Sequence, residues 1–316
     1  MPEVNNILVG VDLTHGDHLI SAVLSPESRS AIQQATEIAV SRQARLTFFA
    51  AIDLDPHTLS YLELEDADAL KNLGNQAEEM LHGLVAEARS KGVAEAVSNH
   101  AFGKSWVELI KQVLRSNHDL LMVGTRGLHG IKSMLLGSTG LKLMRNCPCP
   151  VWITKPQIAA TTRKVLVADD LTEVGRRLVR VGATIARAKQ AELHVLHALE
   201  YPWDSSSAGG DPKQEAFRQK RRMHANTHLA DHLNCEEIKA LVAAPKIAIV
   251  EELAENAIQK YVEQQQIDLL VMATIARSGL SGFLMGNTAE RLMPQLSCSV
   301  VAIKPNDFRS PVTLDS

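Results

Sequence analysis

The residues best suited to chemistry are Gly124-Thr125-Arg126-Gly127, then nine more, then Gly137-Ser138. They follow a short apolar run, Asp119-Leu120-Leu121-Met122-Val123. Glycine lets a backbone approach a bound group closely and adopt positive φ. The Gly137-Ser138 pair opens a helix, so its free N–H groups and the positive end of its dipole point outward. Such an end suits a phosphate or another anion. Ser138 and Thr139 add hydroxyl donors. Asp12 stands at the tip of a second apolar run, Ile7-Leu8-Val9-Gly10-Val11, with Thr14 two residues on. Its carboxylate can accept from a ribose or hold the water of a metal-bound phosphate.

Other signals are weaker. Gly103-Lys104-Ser105 resembles the end of a P-loop, but Ser98 stands where the earlier glycine belongs. Ser105-Trp106-Val107-Glu108 reads instead as a capping box opening a helix. Gly124, Gly127 and Gly130 do not have the dinucleotide spacing. His224, His228 and His232 recur every four residues, with Cys235 a turn later. An exposed polar stripe explains them better than zinc, since one helix rarely completes a four-coordinate site. Cys147-Pro148-Cys149 is too close for a relaxed disulfide, and its thiols read as small apolar packing groups. No Gly-x-Ser-x-Gly elbow, His-Glu-x-x-His motif or nucleophile-and-base pair appears. No catalytic residue and no metal ligand is assigned.

The elements that position the glycine loop come in pairs. Val165-Leu166-Val167-Ala168-Asp169-Asp170-Leu171-Thr172 repeats the Asp12 run, with the same Asp-Leu-Thr ending. Asp268–Thr274 repeats Asp119–Thr125, and Cys298–Pro305 repeats Cys149–Pro156, both at an offset of 149 residues. Three matched segments in one order mark a duplication. The expected layout is a first domain over 1–156, a second over 163–306 and a tail over 307–316. Within each half, continuous apolar strands such as Leu46–Ile52 and Leu193–Ala198 alternate with amphipathic helices. Leu70, Leu73, Ala77, Leu81, Leu84 and Ala88 lie at helical spacing, with Gly92 as a C-cap glycine. Asp211-Pro212 opens the corresponding helix of the second half. This is an α/β pattern: doubly wound parallel sheets, five strands per half, covered on both faces. Such sheets take ligands outside their strands' C-terminal ends.

The 316 residues are 45% hydrophobic and 22% charged, with a formal net charge of −3, which is an ordinary globular balance. That charge builds no broad positive field, so no nucleic-acid partner is expected, and Lys220-Arg221-Arg222 reads as a solvated helix face. No apolar run approaches the roughly 20 residues of a membrane span. The start of the chain shows no signal-peptide pattern, and a cytoplasmic setting with reduced cysteines is expected.

The spacing Gly-x2-Gly-x9-Gly-Ser, with the first-strand Asp12, resembles the ATP-binding universal stress proteins. The doubled arrangement and its Lys-Pro ending are similar to tandem E-type members. The resemblance covers nearly the whole chain. It implies Rossmann-like domains of the adenine nucleotide-binding type, packed as a pseudo-dimer through the strands Val151–Lys155 and Val300–Lys304. It implies that Asp12, with Thr14, contacts the adenosine part and that the backbone near Ala51 faces adenine. Gly124, Gly127, Gly137, Ser138 and Thr139 would surround the phosphates of ATP, carried with Mg. The second half departs: Ala273 and Ala276 replace both early glycines and Asn287 replaces the serine. Asp170, Ala198, Gly286, Asn287 and Thr288 are its candidate ligand residues, and their ligand is left open. The expected function is a nucleotide-dependent stress-response regulator or protective protein, with an unidentified protein partner and at most slow ATP hydrolysis. Alternatives are a nucleotide-independent interaction module, a slow ATP-hydrolysing enzyme, or an adenylating or redox flavin enzyme. A further homodimer is also open.

Overall fold

The computed structural model describes residues 4–14, 19–21, 23–125, 137–156, 162–201, 212–274 and 286–314. The chain forms two compact units. One takes in the first half up to Pro156 together with the segment after Pro305. The other runs from Gln157 to Pro305.

The first half runs β1 (Asn6–Gly10), α1 (Pro26–Arg42), β2 (Arg45–Ile52), α2 (Pro56–Glu65), α3 (Ala67–Ser90), β3 (Ala96–Phe102), α4 (Ser105–Ser116), β4 (Leu120–Gly124), α5 (Ser138–Asn146) and β5 (Val151–Thr154). Its strands are parallel, in the order β3-β2-β1-β4-β5. Order reverses at β1, and right-handed crossovers place α1 to α3 on one face and α4 and α5 on the other. Ile7, Leu8, Val9, Leu120, Leu121 and Met122 are fully buried, as central strands covered on both faces require. Gly92 has φ 100° just beyond α3, in the left-handed region that glycine enters without penalty.

The second half runs β6 (Lys164–Ala168), α6 (Glu173–Lys189), β7 (Glu192–Ala198), α7 (Pro212–Leu233), α8 (Glu236–Lys239), β8 (Lys246–Val250), α9 (Ala254–Gln265), β9 (Leu269–Ala273), α10 (Asn287–Leu292) and β10 (Ser299–Ile303). Its parallel order, β8-β7-β6-β9-β10, repeats the first. Helix α7 starts at Pro212, as expected, while Asp211 lies outside the described residues. No helix among the described residues is long and apolar enough to cross a membrane.

The repeated aspartates have a shared task. Asp119 Oδ2 accepts the N–H groups of Asn5 and Asn6 at 2.7 and 3.0 Å. Asp268 Oδ2 accepts those of Arg163 and Lys164 at 2.7 and 2.9 Å. Each carboxylate ties the start of its neighbouring strand, β1 or β6, and satisfies backbone donors there.

Beside Asp119, His118 is buried, and its Nδ1 donates to the Gln112 carbonyl at 3.2 Å. Burial disfavours the imidazolium and lowers its pKa to about 4 from the ordinary 6.5. Between those values the unfolded chain binds the proton and the native chain does not. The stability gained from a neutral His118 is therefore present above pH 6.5 and lost as pH falls toward 4. A gap of that size corresponds to about 3 kcal/mol. Urea titrations from pH 7 to pH 4.5 are expected to show a loss that His118→Gln largely removes.

Candidate functional site

The C-terminal ends of β1, β2 and β4 open into a crevice of about 800 Å³, counting its solvent-filled mouth. Each wall has a local cause. Beyond β1, Asp12 Oδ1 accepts both the Thr14 N–H at 3.0 Å and the Thr14 hydroxyl at 2.6 Å. This Asx turn holds the carboxylate at the strand tip. Phe49, Ala51 and Asp53 line the crevice from β2 and just after it. Ser105 and Leu109 of α4 face them. On the far side come Val123, Gly124 and Thr125, then Gly137, Thr139 and Gly140 at the start of α5. Gly137 is the N-cap of α5, with φ −58° and no side-chain cap. Among the described residues no side chain caps that nine-residue helix, so its first N–H groups face a ligand or water. Among the described residues the crevice is lined by two carboxylates, Asp12 and Asp53, and by no lysine or arginine.

Of the residues expected in the first site, Asp12, Thr14, Ala51, Gly124, Gly137 and Thr139 line this one crevice. Ser138 is the first residue of α5 and is exposed, outside the lining. Gly127 lies outside the described residues. Asp53 and Ser105 were missed. An acidic residue directly after a buried strand was the available signal for Asp53.

The capping box is not formed. Lys104 is the N-cap of α4 and makes no side-chain cap, so Ser105 is already helical. Gly103, at φ 137°, turns the chain into the helix one residue earlier than the motif implies. The Ser105 hydroxyl donates instead to Asp53 Oδ2 at 3.3 Å, and Glu108 pairs with Lys111 at 3.2 Å.

Gly124 also differs from expectation. Its φ is not positive. A Cβ there would lie 2.6 Å from the Glu27 carbonyl carbon and oxygen and 2.9 Å from the Ser28 nitrogen. The glycine is needed because the first turn of α1 packs on the end of β4. In the second half Ala273 takes the place of Gly124. A different close contact is made there by Gly175 on α6, where a Cβ would collide with the Asp169 carboxylate and lie 2.8 Å from Asp170 Oδ1.

The second half keeps the Asx turn: Asp170 Oδ1 accepts the Thr172 N–H at 3.0 Å and its hydroxyl at 2.5 Å. Thr172 also caps α6, accepting the Gly175 N–H at 3.3 Å. The first half divides these tasks between Thr14 and Ser25, the N-cap of α1. Ala198 ends β7, and Gly286 is the N-cap of α10. Asn287 begins that six-residue helix and Thr288, half-buried, follows it.

Asp169 replaces Val11 of the first half and is buried. Its Oδ1 accepts the Leu171 N–H, and its Oδ2 lies against His232 Nδ1, both at 2.7 Å. Its carbonyl lies 2.7 Å from His197 Nδ1. The histidine stripe is therefore not uniformly exposed. At 100° per residue, eight residues rotate a helix position by about 80°. His224 and His228 stay outside with ring centroids 4.2 Å apart, while His232 turns into the core at 1% exposure. Cys235 is the N-cap of α8 rather than part of α7. Among the described residues, no three histidine, cysteine, aspartate or glutamate side chains group to hold a metal ion. Asp169→Val imports the first-half residue and strands His232 and the Leu171 N–H. Chemical denaturation is expected to show a loss of about 3–5 kcal/mol. Asp169→Val with His232→Leu is expected to recover much of it, since well-packed apolar groups can replace a buried pair.

A strand-end crevice with an uncapped helix N-terminus at one side is the ligand-site layout of doubly wound α/β proteins. The chain belongs to the universal stress protein family, whose model matches residues 3–155 and again 161–304. It is 24% identical over 326 residues to Universal stress protein E of Photorhabdus laumondii, covering 99% of this chain and 98% of that protein. Its fold is similar to that of a universal stress protein from Archaeoglobus fulgidus DSM 4304, with TM-score 0.65 and 19% identity over 96% of this chain and 99% of the other. A functionally unknown protein from Pseudomonas aeruginosa PAO1 has TM-score 0.68 and 24% identity, over 96% of this chain and 94% of its own.

Proposed function

We propose that this chain is an adenine nucleotide-dependent stress-response regulator whose first domain holds ATP. The observation that carries this reading is the two-ended crevice. Helix N–H groups and the Gly137 turn stand at one end, and Asp12 stands beside the middle strand. The phosphates face the start of α5, where backbone donors and the helix dipole attract negative charge. Asp12 accepts from the ribose, and the backbone at Ala51 faces the base. Two carboxylates line the crevice and no described lysine or arginine does, so a triphosphate arrives with Mg to offset its charge. The bound nucleotide selects one arrangement of the surrounding loops and so sets the affinity for a protein partner. The second domain, with Ala273 and Ala276 in place of glycines, makes a smaller contribution or none to ATP binding. A cytoplasmic location accords with this role.

The test is to heat-denature freshly purified protein and quantify the released small molecules by chromatography and mass spectrometry. One adenine nucleotide per chain is expected. Two would show that the second domain is also a working site. None, with no uptake of added Mg–ATP, would overturn the nucleotide reading.

A further inference from the structure

We propose that the Asp53 carboxylate reads the base in the first-domain crevice and selects a purine carrying an amino group at position 6 over one carrying a carbonyl. The inference rests on the nucleotide reading above.

The crevice has two chemically different ends joined by apolar walls that include Phe49, Val123 and Ile153. Strands β2 and β4 flank β1 on either side, so their tips stand about 10 Å apart. The β4 side carries the Gly137 turn and the start of α5, which attract an anion. A ligand anchored there by phosphates extends its other end past Asp12 toward β2 and α4. Asp53, Ser105 and Leu109 line the crevice at that end. Leu109 supplies an apolar contact there, and Asp53 supplies charge.

The two carboxylates differ in what they still offer. Asp12 Oδ1 is already taken by Thr14, through both N–H and hydroxyl. Asp53 Oδ2 accepts from Ser105 at 3.3 Å, and among the described residues no donor reaches its Oδ1. The Ser105 bond engages Oδ2 and leaves Oδ1 as the acceptor offered to a ligand. The second half is built differently: Glu200, two residues after Ala198, accepts the Ala254 N–H at 2.9 Å and so caps α9. An ionised carboxylate accepts hydrogen bonds and cannot donate them. It bonds an exocyclic amine and faces a carbonyl oxygen with lone pairs opposed. Sites built around such a bond reject analogues that cannot make it.

ATP and ITP carry the same sugar and phosphates and differ at position 6 of the base. Calorimetric titration of the full chain with each, in the presence of Mg, is expected to show ATP bound at least about tenfold more tightly. Asp53→Asn is expected to shrink that preference to within about twofold, because an amide can donate to the carbonyl as well as accept from the amine. Ser105→Ala should keep the direction of the preference. Equal binding of ATP and ITP by the wild type would overturn this inference alone. A full preference retained in Asp53→Asn would do the same. Binding of neither nucleotide would overturn the nucleotide reading with it.

Discussion

Gly137→Asp is expected to abolish ATP binding while leaving the fold as stable as before. The residue is the N-cap of α5 at φ −58° and ψ 157°, an extended conformation open to any L-residue. Aspartate is among the best N-cap residues, because its carboxylate accepts the helix's first free N–H groups. That is the job the phosphates would otherwise do. The substitution satisfies the donors internally and places a negative charge where the ligand's charge must sit. A loss of at least about 100-fold in affinity is expected, corresponding to about 2.7 kcal/mol. The melting temperature should stay level or rise slightly. Calorimetric titration and thermal melting on one preparation measure both. Retained ATP affinity would mean that the start of α5 is not the phosphate end.

Gly124→Ala should give the converse result, a large loss of stability at a position that also lines the crevice. The added methyl would meet the Glu27 carbonyl at 2.6 Å, and backbone in the first turn of a helix cannot step aside as a flexible side chain can. Either α1 moves off β4, breaking the packing around Ala31 and Ala35, which are fully buried, or the end of β4 shifts. Overpacking of this kind costs about 1–3 kcal/mol and more where backbone is hit. A drop of roughly 5–10 °C in melting temperature is expected, at about 2–4 °C per kcal/mol for a domain of this size. Serine at the same position should behave like alanine, because the Cβ does the damage. A change below 1 °C would show that α1 adjusts freely.

These two glycines illustrate what a one-dimensional pattern carries. The spacing from Gly124 to Gly137 pointed to two residues that line one crevice. It did not reveal that Gly137 stands at an ordinary φ with its helix N-terminus uncapped, or that Gly124 is required by another helix. Helix α2 was missed although Asp55-Pro56 is a ready start signal, with Asp55 Oδ1 accepting the His57 and Thr58 N–H groups at 3.0 Å. None of its residues is buried, so it has no apolar stripe to betray it.

The sequence by itself determined the duplication, the succession of buried strands and helices along the chain, and the repeated Asp-Leu-Thr segments. Each of these is written in local chemistry: apolar runs covered on both faces, a carboxylate two residues from the N–H it accepts, a proline at a helix start. Only the tertiary structure decided that Asp53 meets Ser105, that Asp169 meets His232, that Gly124 serves helix packing and that Gly175 makes room for the carboxylates after β6. The partners in the first two pairs are 52 and 63 residues apart along the chain. Their meeting depends on strand order and helix rotation. A hydrogen bond acts over about 3 Å in space and leaves no periodic trace in the intervening sequence.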